Sequence, residues 1–170
     1  MTNNFKEQLK ASDSPEVTQL VWRALRSVFG ASEMIPEGNL TEQFKGIDRY
    51  YKGFKIEHKM RTIYYPDILF EIVSNDNTNT LGWAEKKLDC DVFVYGWLPI
   101  NTVYVFEYKD FKKTWEMNKK VWISKYNRKV AKNDTYNTIS IPVPITELLN
   151  KIDQYWLYEG SCMTGHTNSG

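Results

Sequence analysis

The chain has 170 residues, of which 42% are hydrophobic and 25% are charged, a composition typical of a soluble globular protein with one core. Its formal net charge of +1 neither indicates nor excludes a nucleic-acid partner, and two cysteines without regular spacing exclude a disulfide framework and a zinc site. No apolar run reaches about 18 residues, and the N-terminus lacks a signal-peptide core. We therefore expect a cytoplasmic protein that does not contact a membrane.

The first predicted element in chain order is an amphipathic helix. Residues 1–13 are polar and predict an N-terminal arm, after which Ser14 and Pro15 have the residue types of a helix N-cap and first turn. Glu16 follows in that first turn, where an acid is favourable to the helix dipole. Gly30 ends the pattern. Apolar residues recur at helical spacing between these limits: Val17, Leu20, Val21, Ala24, Leu25 and Val28.

The stretch 46–61 predicts a β-hairpin that brings two acids together. Lys52 and Gly53 form its two-residue turn, and the register set by this turn places Asp48 directly opposite Glu57. Two carboxylates in that position repel each other. Because carboxylate oxygens bind hard divalent cations, Mg²⁺ or Mn²⁺ is the natural complement to this pair.

The second strand of the hairpin alternates between a charged and an apolar face. Glu57 and Lys59 point to the charged face, whereas His58 points to the apolar one. His58 is therefore interpreted as a packed core histidine.

A third strand, predicted to continue the antiparallel sheet of the hairpin, covers 67–74, with a nearly continuous apolar run that Glu71 interrupts. A buried Glu needs a partner, so Glu71 either points toward the hairpin acids or lies at an exposed strand end. Ser74 is a weaker candidate, because it belongs to an ordinary turn sequence. A helix over 81–89 and two further strands, 91–97 and 102–108, follow.

Charge is uneven between residues 109 and 132, where lysines and one arginine greatly outnumber acids and aromatic residues are interleaved. This pattern is typical of a surface that binds a phosphate backbone. The alternative is a solvated helix, and for the aromatic residues we favour packing on the sheet. The basic residues predicted to contact nucleic acid are Lys112, Lys113, Lys119, Lys120, Lys125, Arg128 and Lys129.

The C-terminal part of the chain predicts a last strand at 139–143 and a short closing helix through Ile152. Residues 159–170 are small and polar and predict a disordered tail. One domain thus spans 14–158, with no internal repeat or linker.

The order of these motifs resembles the PD-(D/E)xK nuclease superfamily, including its uncharacterised phage and bacterial members. Asp48 followed by Glu57-His58-Lys59 is similar to the superfamily motif, although Ile47 stands where proline is usual. The resemblance extends over about residues 14–152. Its further segments are Gln43-Phe44-Lys45-Gly46-Ile47, Phe70-Glu71-Ile72-Val73-Ser74, Gly82-Trp83, Cys90-Asp91-Val92-Phe93-Val94-Tyr95 and Ile141-Pro142-Val143-Pro144-Ile145.

This resemblance implies an α/β fold with a restriction-endonuclease-like core, in which a mixed central sheet with the antiparallel hairpin strands first is flanked by helices. It implies that Asp48, Glu57 and the backbone carbonyl of His58 bind Mg²⁺ or Mn²⁺, and that Lys59 orients or deprotonates the attacking water. Further site residues that it suggests are Glu71, Glu16, Gln43 and Ser74.

The function implied is metal-dependent hydrolysis of phosphodiester bonds in DNA, in phage or mobile-element DNA processing, repair or defence, by an enzyme able to form a homodimer. The alternative is a catalytically silent protein of the same fold that acts as a nucleic-acid-binding or inhibitory module. A literal motif also occurs at Pro66-Asp67 with Glu85-Lys86-Lys87. We reject it because residues two apart on the helix predicted there do not share a face.

Overall fold

The computed structural model describes residues 14–36, 41, 43, 45–160 and 162–168, so the predicted N-terminal arm at 1–13 lies outside the described residues. These residues form an α/β fold with a seven-stranded mixed sheet flanked by helices and a second, four-stranded sheet. In chain order the elements are α1 (Pro15–Phe29), β1 (Met34–Pro36), β2 (Arg49–Tyr51), β3 (Phe54–Arg61), β4 (Asp67–Asn75), β5 (Thr80–Leu81), β6 (Val92–Trp97), a 3-10 helix (Leu98–Ile100), β7 (Thr102–Glu107), α2 (Tyr108–Lys125), β8 (Lys129–Lys132), β9 (Asn137–Pro144), α3 (Ile145–Leu149), β10 (Gln154–Glu159) and β11 (Cys162–Thr167).

Helix α1 begins and ends where its sequence predicts. The Ser14 side chain accepts a hydrogen bond from the Val17 N–H at 3.3 Å, and Gly30, with φ 83°, terminates the helix. Its apolar face is buried against valines of β6 and β7 on one side of the large sheet.

The predicted hairpin register is confirmed. Lys52 and Gly53 have φ of 50° and 82°, the left-handed values that a type I′ turn requires. This turn pairs Tyr51 with Phe54 and Arg49 with Ile56. Strand β3 then pairs in parallel with β6, while the other strands of the large sheet are antiparallel, in the order β1-β2-β3-β6-β7-β10-β11.

The third strand occupies a different sheet from the one expected. Strand β4 pairs with β9 and β5 in the order β5-β4-β9-β8. In the described residues its backbone does not pair with β3, and the Arg61 side chain at the end of β3 bonds to Asp67. The apolar residues of β4 pack between this second sheet and α2, where Phe70 stacks on Trp115 with ring centroids 4.5 Å apart. The prediction of a third antiparallel strand in the hairpin sheet is therefore wrong, because long-range pairing with β9 determines its neighbours.

The helix predicted over 81–89 is absent from these described residues. The chain instead crosses β4, where Gly82 N–H donates to the Ile72 carbonyl and Ala84 N–H to the Glu71 carbonyl, both at 3.0 Å. An added Cβ at Gly82 would lie 2.2 Å from the Glu71 carbonyl oxygen, so only glycine permits this approach.

The C-terminal residues also differ from the prediction. The segment 162–167, expected to be disordered, forms β11 and pairs along the whole of β10. The closing helix occurs as α3, and the last predicted strand as β9.

Candidate functional site

The candidate site lies on the β2–β3 hairpin, where Asp48 at the start of the hairpin meets Glu57 of β3. Asp48 precedes β2, and its N–H donates to the Ile56 carbonyl at 2.8 Å. Its carboxylate Oδ2 accepts a hydrogen bond from the His58 N–H at 3.0 Å. These two bonds hold Asp48 next to Glu57, as the hairpin register predicts.

Glu57 and Lys59 point to the face of the large sheet that packs against α2 and the second sheet, since they lie opposite Phe93 and Tyr95 of β6. The Glu57 side chain is 4% exposed and that of Lys59 is 36% exposed, and Lys59 Nζ contacts Glu57 Oε1 directly. The cluster is thus a buried acid whose cationic partner reaches the surface.

The charges of the cluster are strongly coupled. Burial raises the pKa of Glu57 to about 7; Lys59 opposes this rise and the neighbouring Asp48 carboxylate adds to it. Burial also disfavours ionised Asp48, but Lys59 and His58 outweigh it and lower the Asp48 pKa. The pKa of Lys59 is raised despite its burial, because Glu57 and Asp48 stabilise the ammonium form.

One oxygen of this cluster lacks a hydrogen-bond donor among the described residues. Glu57 Oε2 is buried and accepts no hydrogen bond there. A buried carboxylate oxygen without a donor is costly unless the acid is protonated and bonds to the neighbouring Asp48, or a cation occupies the adjacent space. Together with Asp48 it supplies the hard oxygen donors that Mg²⁺ and Mn²⁺ prefer, so the residues fit such an ion. The described residues contain no group of three or more His, Cys, Asp or Glu arranged to bind a metal.

Glu71 and Ser74 face this cluster from β4 of the second sheet. Burial raises the pKa of Glu71, and the charge of Lys59 and hydrogen bonds from the Trp83 N–H and the Ser74 side chain partly offset that rise. Lys59 and Glu71 are close enough for the charge of each to shift the pKa of the other. The Ser74 side chain hydrogen-bonds to Glu71 rather than to Asp48 or Glu57.

Comparison with protein-family models, curated proteins and solved structures finds no match for this chain.

His58 makes a contact that the alternation of β3 did not predict. Its side chain is 4% exposed, as expected for a core residue. Its Nδ1, however, lies 3.2 Å from Asp48 Oδ2. Asp48 precedes the regular part of β2, so strand periodicity alone does not determine which side of β3 its carboxylate reaches.

Two further predicted residues lie apart from the cluster. Glu16 is exposed in the first turn of α1, and Gln43 is exposed with its carbonyl accepting a hydrogen bond from the Gly46 N–H at 3.0 Å. Within the described part of the chain, no hydrogen bond or ion pair joins either side chain to Asp48, Glu57 or Lys59.

The literal motif downstream has packing roles instead. Asp67 pairs with Arg61 at 2.6 Å. Glu85 accepts hydrogen bonds from Trp115 Nε1 at 2.9 Å and from Lys119 Nζ at 3.0 Å. The motif is still rejected, but the predicted reason was wrong because 81–89 is not a helix.

The seven basic residues predicted to contact nucleic acid divide into two groups. Three are engaged by acids: Lys112 pairs with Glu116, Lys119 with Glu85 and Glu116, and Lys125 with Glu147. The other four are exposed and form no ion pair within the described ranges; they are Lys113, Lys120, Arg128 and Lys129. The interleaved Trp115 and Trp122 are 1% exposed and belong to the core.

None of the helices in the described ranges is long and apolar enough to cross a membrane.

Proposed function

We propose that this protein is a metal-dependent nuclease that hydrolyses phosphodiester bonds in DNA. The observation that supports the proposal most directly is the buried Glu57, whose Oε2 has no hydrogen-bond donor among the described residues while its Oε1 contacts Lys59. A buried acid beside a second acid and a lysine is costly for stability. Such an arrangement is typical of a site that binds a cation and an anionic substrate together.

In this proposal Asp48, Glu57 and the His58 backbone carbonyl hold Mg²⁺, or Mn²⁺ in its place. The ion, when bound, supplies Lewis-acid polarisation of the scissile phosphate. Lys59 is partly exposed and in contact with Glu57, so its side chain can reach both the acids and a molecule entering from solvent. Its ammonium form, which the raised pKa favours, would orient the attacking water. Deprotonation of that water by Lys59 would require the neutral amine, and so a weaker hold of the two acids on this side chain.

Glu71 completes the acidic side of the proposed site. Its carboxylate is held by the Trp83 N–H and by Ser74, and it adds negative charge near Lys59. We propose that Glu71 fixes the position of the Lys59 ammonium, and that the fold around these residues is a restriction-endonuclease-like core.

DNA is the proposed substrate because the four unpaired basic residues Lys113, Lys120, Arg128 and Lys129 offer contacts to a phosphate backbone. A role in phage or mobile-element DNA processing, repair or defence follows from the resemblance in sequence. A homodimer is compatible with this function.

The test is a cleavage assay on linear, branched and single-stranded DNA with Mg²⁺, Mn²⁺ or EDTA. Lys59→Ala should abolish cleavage, whereas Lys87→Ala should not, because Lys87 is the exposed lysine of the literal motif and forms no ion pair in the part of the chain described. Absence of metal-dependent cleavage of every substrate by the wild-type protein would refute the enzyme proposal.

A second candidate is a catalytically silent protein that only binds nucleic acid. One observation favours it: Asp48 Oδ2 already accepts a hydrogen bond from the His58 N–H and lies near the His58 ring. Metal binding separates the two candidates. In a nuclease, Mg²⁺ or Mn²⁺ should raise the melting temperature of the wild type and not that of Asp48→Asn.

A further inference from the structure

The charged face of β3 continues beyond the proposed site. Glu57, Lys59 and Arg61 alternate along the strand and lie opposite Phe93, Tyr95 and Trp97 of β6, so all three share one face of the sheet. Arg61 ends the strand about 7 Å from Lys59, at about 3.3 Å per residue.

The loop that follows exposes apolar side chains on this same side. Ile63, Tyr64 and Tyr65 are 56%, 47% and 54% exposed. Three consecutive residues of this kind are unusual on a surface without a partner.

The two tyrosines are held in place rather than projecting freely. The Arg61 guanidinium donates to Asp67 Oδ1 at 2.6 Å and lies 5.3 Å from the centre of the Tyr65 ring. Tyr64 meets the buried Trp97 edge to face, with ring centroids 5.7 Å apart. One side of each ring is thus supported by the protein while about half of each residue remains open to solvent.

We propose that the loop 62–66 is a stacking platform for unpaired nucleobases of the DNA strand that enters the Asp48–Glu57–Lys59 site. The inference rests on the proposed nuclease function and specifies its substrate class. Exposed aromatic rings stack with any base, and Arg61, fixed by its ion pair with Asp67, holds the Tyr65 ring in place. Bases within a continuous duplex are covered by their neighbours, so the platform favours single-stranded, frayed or branched DNA.

A second copy of this chain is a less suitable occupant. The platform consists of three exposed side chains, whereas a stable protein interface uses about 20–30 residues on each side. Its position on the same sheet face as Lys59, at the end of the strand that carries the proposed site, instead suits a DNA strand that enters this site and presents flat apolar rings.

The experiment measures binding in EDTA, where cleavage does not contribute. Fluorescently labelled single-stranded DNA and a blunt duplex of the same sequence are titrated with wild type, Tyr64→Ala, Tyr65→Ala and Tyr65→Phe. Ile35→Ala is the matched control, because Ile35 is 59% exposed on β1, which pairs with β2 beside the start of β3, whereas the platform follows the end of β3. Melting temperatures establish that each variant is folded, and sedimentation establishes its oligomeric state.

Each tyrosine-to-alanine change should weaken single-strand binding by about 5-fold or more and duplex binding by less than about 2-fold. Tyr65→Phe and Ile35→Ala should remain within about 2-fold of wild type on both DNAs. A 2-aminopurine in the single strand should be quenched by the wild type and not by Tyr65→Ala. Quenching reports on stacking, which a merely structural role of Tyr65 would not produce.

Equal losses on both DNAs, unchanged binding, or no DNA binding by the wild type would each overturn the platform. Dissociation of a wild-type dimer by Tyr65→Ala would also overturn it, in favour of a self-interface. The two proposals can fail separately. If the tyrosine variants weaken DNA binding but the wild type shows no metal-dependent cleavage, the platform is retained and the nuclease is refuted. If the wild type cleaves DNA and the tyrosine variants bind DNA as tightly as the wild type, the nuclease is retained and the platform is refuted.

Discussion

Glu57→Gln tests the electrostatics of the candidate site in the metal-free protein. Glu57 is buried, and its pKa is raised from 4.5 to about 7 in the folded state. At a pH between these two pKa values, Glu57 keeps its proton in the folded protein but has released it in the unfolded chain. Stability therefore decreases as pH rises through this window and becomes constant above about pH 7 for this group.

The magnitude follows from the size of the shift. A rise from 4.5 to about 7 corresponds to a loss of about 3 kcal/mol, at about 1.36 kcal/mol per pKa unit. Glutamine keeps the shape of the side chain but does not titrate, so Glu57→Gln should remove this part of the pH dependence. The pKa of Glu71 is also raised, so a decrease in stability with rising pH that comes from this group should persist in the variant.

The measurement is urea unfolding in EDTA at several pH values from 4.5 to 8. The free energy of unfolding of Glu57→Gln should approach or exceed that of the wild type above pH 7, while Glu107→Gln, a change at an exposed carboxylate, should follow the wild type. At pH 8, Mg²⁺ should then stabilise the wild type and not Glu57→Gln. If the free energies of unfolding of wild type and Glu57→Gln change with pH in parallel, burial of the ionised Glu57 carboxylate does not destabilise the folded protein.

Three other changes test the surroundings of the site. Gly82→Ala should destabilise the protein by about 1–3 kcal/mol in urea unfolding, because its Cβ meets the Glu71 backbone. Trp115→Phe should lower the melting temperature, since a ring that is 1% exposed is made smaller and Glu85 loses the Nε1 donor. Replacing Lys113 and Lys120 together by Gln should reduce the slope of log K for DNA against log salt by about 1 per lost phosphate contact, whereas an unchanged slope would exclude this surface.

The hairpin could be predicted from sequence because its determinants are local. A Lys-Gly turn fixes both strands in register, and this register determines which residues lie opposite each other. The pairing of Asp48 with Glu57 needs no information from the rest of the chain. For the same reason the cap and buried face of α1 agree with their sequence pattern.

The second sheet could not be predicted in this way. Strand β4 has an apolar run that suits any buried strand, and its partner β9 lies about 70 residues later in the sequence. The segment 82–89 has helix-compatible residues, but Gly82 and Trp83 are placed by β4 and by the aromatic core. Strand β11 pairs with β10 although its own residues are small and polar. In each case tertiary contacts override local propensity.

For the basic residues of α2, the sequence predicts only some of the ion pairs that the structure contains. Lys112 and Lys119 lie four and three residues from Glu116, a spacing that predicts ion pairs on a helix. By contrast, Glu85 and Glu147, which also bind basic residues of α2, approach only through the fold. Lys113 and Lys120 also lie three and four residues from Glu116, but its two carboxylate oxygens pair with Lys112 and Lys119. Spacing alone therefore does not determine which lysines are paired, and seven residues place Lys113 and Lys120 on one face about 10 Å apart along the helix axis. Charge counts therefore overestimate the basic surface, and the part available to a phosphate backbone is the outward face of α2 together with Arg128 and Lys129.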